Sequence, residues 1–149
     1  MRIYIDTSVV GGFYDSEFEE STKDFFKKVD VGDFTLVVSD LLAAELLRAP
    51  VQVRKHLNKY SKKQIEKVLL TKEATKLAEL YISEKVVGKT SKADCQHIAI
   101  ATISKVDVLV SWNFKHIVNL RRIRGYNSVN LKNNYPVLEI RTPKEIIDL

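Results

Sequence analysis

The chain is predicted to be an α/β protein built on a parallel sheet, and three observations point there. Ile3-Tyr4-Ile5 and Val108-Leu109-Val110 are short β-branched or aromatic runs without polar alternation, as strands covered on both faces require. Segments with helical apolar spacing separate the strand runs, the alternation expected of βαβ units. Hydroxyl and acidic residues, Asp6-Thr7-Ser8 and Ser39-Asp40, directly follow two of the strands, where a short turn must start a helix. With 149 residues, 45% hydrophobic content and no Pro/Gly/Ser-rich linker, residues 1–149 are expected to form one domain.

Taken in order, Ile3-Tyr4-Ile5 is the first strand, and Gly11-Gly12 loosens the helix after it. Phe18, Phe25, Phe26 and Val29, interleaved with Lys23, Lys27 and Lys28, predict an amphipathic surface helix that Gly32 ends. Thr35-Leu36-Val37-Val38 is the second strand, and Ser39 with Asp40 caps the helix 41–48. Glu45 is anomalous in that mostly apolar helix, so it is either exposed on a narrow stripe or buried with a positive partner. Residues 51–67 suit two short Lys-rich helices, with a capping box at Ser61-Lys62-Lys63-Gln64. Val68-Leu69-Leu70 is the candidate third strand, and Thr71 caps a long helix reaching toward Gly88. The helix 91–103 is apolar on all sides after its first turn, so it packs into the body of the protein. Residues 107–111 form the next strand, Arg121 through Tyr126 a basic loop, and Val137-Leu138-Glu139-Ile140 the last strand. Thr142-Pro143-Lys144-Glu145 has the capping-box pattern with Pro at N1 of a terminal helix.

Composition narrows the function classes. The single cysteine, Cys95, excludes an internal disulfide framework and a cysteine zinc cage, and suits a reducing cytoplasm. No apolar run approaches a membrane span, and Met1 leads straight into a core strand, so a cytoplasmic protein is expected. The excess of 24 Lys+Arg over 19 Asp+Glu is a modest bias toward polyanions, which ordinary solvated helix faces explain equally well.

Four polar positions stand out: Asp6, Glu45, Asp94 and Asn113 each follow a strand's carboxyl end or lie in a helix near that edge. Asp6 alone could be a helix cap, and Asp94 alone could be a first-turn acid favoured by the helix dipole. In a parallel sheet, however, all four converge on one edge. Three carboxylates together repel one another unless a cation neutralises them, and oxygen-only donors suit Mg²⁺ or Mn²⁺. The implied chemistry is metal-assisted phosphodiester hydrolysis.

At these residues the chain resembles the PIN-domain ribonucleases, in particular the VapC-like toxins of prokaryotic toxin–antitoxin pairs. The resemblance spans essentially the whole chain and rests on Ile5-Asp6-Thr7-Ser8, on Val38-Ser39 through Ala44-Glu45-Leu46, on Ala93-Asp94 through His97-Ile98-Ala99-Ile100-Ala101, and on Leu109-Val110-Ser111-Trp112-Asn113-Phe114. It implies a three-layer α/β/α sandwich with about five strands, with Asp6, Glu45 and Asp94 as metal-site acids and Ser111 as the Ser/Thr beside a fourth. Thr7 and Ser8 would support these acids. Asn113 stands where the family usually has Asp, so the site has one charge fewer while keeping a carbonyl oxygen. The resemblance further implies an RNA substrate, a homodimer and a small inhibitory antitoxin.

Arg121, Arg122 and Arg124 are candidates for phosphate contact, set against a plain solvated loop. His97 and His116 could touch RNA or metal, although a His near a carboxylate is more often a structural hydrogen-bond partner. Trp112, Phe114 and Tyr126 could stack bases, although Trp112 and Phe114, in an apolar segment, read as core. Two other functions fit parts of the pattern. One is a catalytically silent PIN-like module that binds RNA or a protein. The other is an aspartyl-phosphate enzyme or receiver, weakened because no acidic pair precedes Asp6 and because Ser8 stands where a second Asp would act.

Overall fold

The computed structural model describes residues 1–148. Its strands are β1 (Arg2–Ile5), β2 (Thr35–Ser39), β3 (Ile65–Val68), β4 (Val108–Val110) and β5 (Ile140–Arg141), all parallel, in the order β3-β2-β1-β4-β5. The helices are α1 (Thr7–Gly12), α2 (Glu19–Asp30), α3 (Asp40–Leu46), α4 (Val51–Arg54), α5 (Lys72–Ser83), α6 (Lys92–Ile103), α7 (Leu120–Lys132) and α8 (Pro143–Ile146).

The period of two along each strand divides the core into two layers. Tyr4, Val37, Leu109 and Ile140 turn to one face, under Leu77 of α5, Ile98 of α6 and Tyr126 of α7. Ile3, Ile5, Leu36, Val38, Val108 and Val110 turn to the other, under Val9 of α1, Phe25 of α2, Leu42 of α3 and Ile146 of α8. The result is the α/β/α sandwich expected of the chain. Winding runs from β1 toward β3 on one side and resumes at β4 on the other, so the order reverses between β1 and β4. In such sheets ligands bind in the crevice at that reversal, outside the carboxyl ends of the strands. The residues there are Asp6 and Ser111 through Asn113.

Local signals carried several elements into the structure. Ser39 caps α3 by accepting from the Leu42 amide, Thr71 caps α5 by accepting from Ala74, and Thr142 with Glu145 forms the full capping box of α8. Elsewhere tertiary packing overrode them. The third strand is Ile65–Val68, three residues ahead of its expected start. Gln64 does bond back to the Ser61 amide, at 2.8 Å, but the chain turns into β3 instead of starting a helix. Helix α5 stops at Ser83 and reverses through Lys85 in the left-handed region (φ 63), well before Gly88. The segment Arg121 through Tyr126 is not a loop but the first half of α7, capped by Asn119. Gly125, Asn127 and Asn130 make that helix weak by propensity; burial of Tyr126, Val129 and Asn130 holds it instead. The last strand is Ile140–Arg141, with Val137 exposed ahead of it.

His56 has no part in the crevice but sets a pH dependence. Only 4% exposed, it is wedged between the rings of Phe13 and Phe26 at centroid distances of 4.4 and 4.6 Å, with Nδ1 2.8 Å from the Tyr14 hydroxyl. Burial, with the nearby Lys59 charge, pushes its pKa down to about 4. The unfolded chain therefore takes up this proton first, near pH 6.5. The His56 contribution to stability should be level above pH 6.5, fall by about 3 kcal/mol between 6.5 and 4, and level off below. Urea melts of the parent and His56→Leu across this range check it: the variant should lose that portion of the slope.

Candidate active site

Asp6 occupies the N-cap position of α1 in extended backbone, yet its side chain makes no capping bond. Both oxygens are turned to hydroxyls instead: Ser8 donates to Oδ1 and Ser111 to Oδ2, each at 2.6 Å. Those hydroxyls in turn accept the amides of Trp112 (2.8 Å) and Asn113 (2.9 Å), which ties the end of β4 to the end of β1. Asp6 is 5% exposed, and burial pushes its carboxyl above the usual range against the opposing hydroxyl bonds.

Glu45 comes from α3, beside the same crevice. Its Oε1 accepts from Thr7 Oγ1 and lies 2.6 Å from His97 Nε2, which resolves the alternatives for Glu45 in favour of a partnered, half-exposed side chain. Burial raises the Glu45 carboxyl, but the hydrogen bonds from His97 and Thr7 outweigh it and hold it below the ordinary range. Asp94, in the first turn of α6, is raised by burial and further by the Asp6 and Glu45 charges, against His116 and His97. Asp94 therefore lies within the fields of both other acids. Asn113 donates its amide to Asp94 Oδ1 at 3.3 Å, while its own carbonyl accepts the amides of Lys115 (3.2 Å) and His116 (3.0 Å). That oxygen closes a turn rather than facing the acids.

A hard divalent cation fits this donor chemistry, since the set is all oxygen and its charges repel. Among the described residues, though, no three acidic, imidazole or thiol groups are already gathered as a ligand set. Asp6 and Glu45 are held on hydroxyl and imidazole donors.

The other singled-out residues divide by burial. His97 is 2% exposed and has no surface for RNA; its contacts are Glu45 and, at 2.6 Å, the Tyr4 hydroxyl. His116 is half-buried, its Nδ1 is without a partner, and its charge acts on Asp94. Arg121 and Arg124 are exposed on α7, whereas Arg122 donates to the Val86 carbonyl. Trp112 is core as expected, stacked on Phe18 at 4.5 Å, but Phe114 is half exposed. Tyr4 and Ser39, bonded at 2.8 Å, are polar partners of the site that strand and cap patterns conceal; the one signal is a tyrosine in an otherwise aliphatic strand.

No family model matches the chain, and no curated protein matches it. Solved structures do. A chain of the VapBC2 structure from Rickettsia felis, bound to a DNA fragment from their promoter, superposes with a TM-score of 0.58 at 14% identity, covering 95% of this chain and 98% of that one. The fold is that of the PIN-domain VapC toxins. VapC20 of Mycobacterium tuberculosis, a sarcin–ricin loop cleaving toxin, superposes with a TM-score of 0.57 at 11% identity over 76% of this chain and 91% of its own.

Proposed function

We propose that the chain is a divalent-metal-dependent endoribonuclease, the toxin of a VapC-type toxin–antitoxin pair, acting as one PIN-like domain in the cytoplasm. The observation that carries this reading is the placement of Asp6 at the winding reversal, with Asp94 inside the fields of both Asp6 and Glu45. Asp6, Glu45 and Asp94 are the residues that would hold Mg²⁺ or Mn²⁺. When bound, such an ion lowers the pKa of a water, holds the phosphate and neutralises the departing oxygen. Ser8 and Ser111 keep Asp6 oriented, Thr7 keeps Glu45 oriented, and Asn113 steadies Asp94 through its amide. Arg121 and Arg124 are the exposed cations offered to RNA phosphates, with His116 nearer the acids. The VapBC2 neighbour supports a small antitoxin as partner, and the family resemblance supports a homodimer.

Purified protein should cleave RNA with Mg²⁺ or Mn²⁺ and stop in excess chelator; cleavage that continues in chelator refutes the mechanism. A second reading, a PIN-like module that binds RNA or protein without cutting, is favoured by Asn113 in the fourth position and by the absence of a gathered ligand set among the described residues. Binding without cleavage at any metal concentration would select it.

Asn113→Asp separates charge from turn geometry. A carboxylate can still cap the turn, but its second oxygen would face Asp94 Oδ1, now 3.3 Å from the amide nitrogen. The variant should melt lower than the parent without metal and bind Mn²⁺ more tightly, by about tenfold, because the added charge is repelled in one state and neutralised in the other. Calorimetry and melts with and without Mn²⁺ check both signs.

A further inference from the structure

Behind the acidic edge a polar line runs through the sheet itself. The Leu42 amide donates to Ser39 Oγ at 3.1 Å, and Ser39 Oγ lies 2.8 Å from the Tyr4 hydroxyl. That hydroxyl lies 2.6 Å from His97 Nδ1, and His97 Nε2 lies 2.6 Å from Glu45 Oε1. Tyr4, Ser39 and His97 are 0%, 3% and 2% exposed, so water does not substitute for any of these partners.

We propose that His97 is a positioning residue for Glu45, fixed as its Nε2–H tautomer by a hydrogen-bond relay that runs one way from the Leu42 amide through Ser39 and Tyr4. Its functional meaning rests on the reading of Glu45 as a metal-site acid; its direction does not.

The two ends dictate the direction. A backbone amide only donates, and an ionised carboxylate only accepts. A tyrosine hydroxyl keeps its proton at neutral pH, so Tyr4 has one to give. If Ser39 donates to Tyr4, Tyr4 donates to Nδ1 and Nε2–H donates to Glu45, every group in the line is satisfied. If Nδ1–H donated to Tyr4, the Tyr4 proton would go to Ser39, whose own proton would then have no acceptor among the described residues. A buried hydroxyl in that state is disfavoured. The Nε2–H tautomer therefore meets Glu45 as a charge-assisted donor.

Thr7 and His97 both bond Oε1, and Oε2 accepts from no described residue. Oε1 thus anchors the side chain and Oε2 is left for a cation. Such an outer bond commonly governs how well a carboxylate is presented to metal.

The test uses the full chain. Long-range proton–nitrogen NMR of the metal-free protein should show His97 protonated at Nε2 and unprotonated at Nδ1. In Tyr4→Phe, which keeps the ring and removes the relay proton, Nδ1 loses its donor and that preference should weaken, resting on Glu45 alone. Mn²⁺ affinity, read by calorimetry, should fall about tenfold in Tyr4→Phe and more in His97→Leu. His97→Gln, whose side-chain amide can donate where Nε2 does, should recover most of it. In RNA cleavage kcat should drop with KM little changed. If His97→Leu does not fold, Tyr4→Phe and His97→Gln carry the comparison, with melts to confirm their fold. Protonation at Nδ1 in the parent, or Tyr4→Phe binding Mn²⁺ like the parent, would overturn the proposal. A parent that neither binds Mn²⁺ nor cleaves RNA would instead overturn the nuclease reading, and the NMR tautomer would still decide the relay.

Discussion

Asp6→Asn is expected to lose about 99% or more of RNA cleavage while folding as well as the parent or better. The loss follows from removing a negative oxygen donor from the site proposed to hold a cation, where charge stabilisation is worth several kcal/mol and about 2.7 kcal/mol is a hundredfold in rate. The retained fold follows from the surroundings. Asp6 is 5% exposed, and burial lifts its carboxyl above the usual range, so the charge costs stability where it sits. An asparagine oxygen can still accept from one of Ser8 and Ser111, and its amide can donate to the other after that hydroxyl rotates. Asp94→Asn should behave alike, since the Asp6 and Glu45 charges raise Asp94 as well. Initial cleavage rates at saturating Mn²⁺, with thermal melts on the same samples, measure both halves. Parent-like cleavage by both variants would remove these residues from the mechanism.

Gly12→Ala is expected to destabilise the fold by about 2–4 kcal/mol, even though alanine is the better helix former by about 1 kcal/mol. A Cβ at Gly12 would stand 2.7 Å from Trp112 Nε1 and 2.9 Å from Thr22 Oγ1, between partners that share a 2.9 Å hydrogen bond. Relieving the overlap breaks that buried bond and shifts Trp112, whose backbone amide also bonds Ser8 beside Asp6. The close approach, rather than a loosened helix, is what glycine serves here. Gly11→Ala is the control: nothing lies within 4 Å of its Cβ, so it should stabilise by up to about 1 kcal/mol. Urea unfolding followed by Trp112 fluorescence compares the pair, and equal midpoints would refute the packing account.

What the sequence determined by itself is what short-range physics decides. Buried runs such as Ile3-Tyr4-Ile5 have a strand period, and caps such as Ser39, Thr71 and Thr142 bond within three residues, so strands, helix starts and the alternation that makes a parallel sheet were readable in one dimension. The position of Asp6 at a strand end was readable for the same reason. The tertiary structure decided the rest, because it depended on partners far away in the chain. Helix α7 forms around Gly125 and its asparagines because Tyr126, Val129 and Asn130 are buried, and β3 starts at Ile65 because Leu36 through Ser39 of β2 set its register. The directions of polar atoms belong to the same class. His97 faces inward to Tyr4 and Glu45, 93 and 52 residues away, and the Asn113 carbonyl closes a turn while its amide meets Asp94. Spacing along a chain specifies which face a side chain occupies, but only the packed neighbours specify which atom each donor meets.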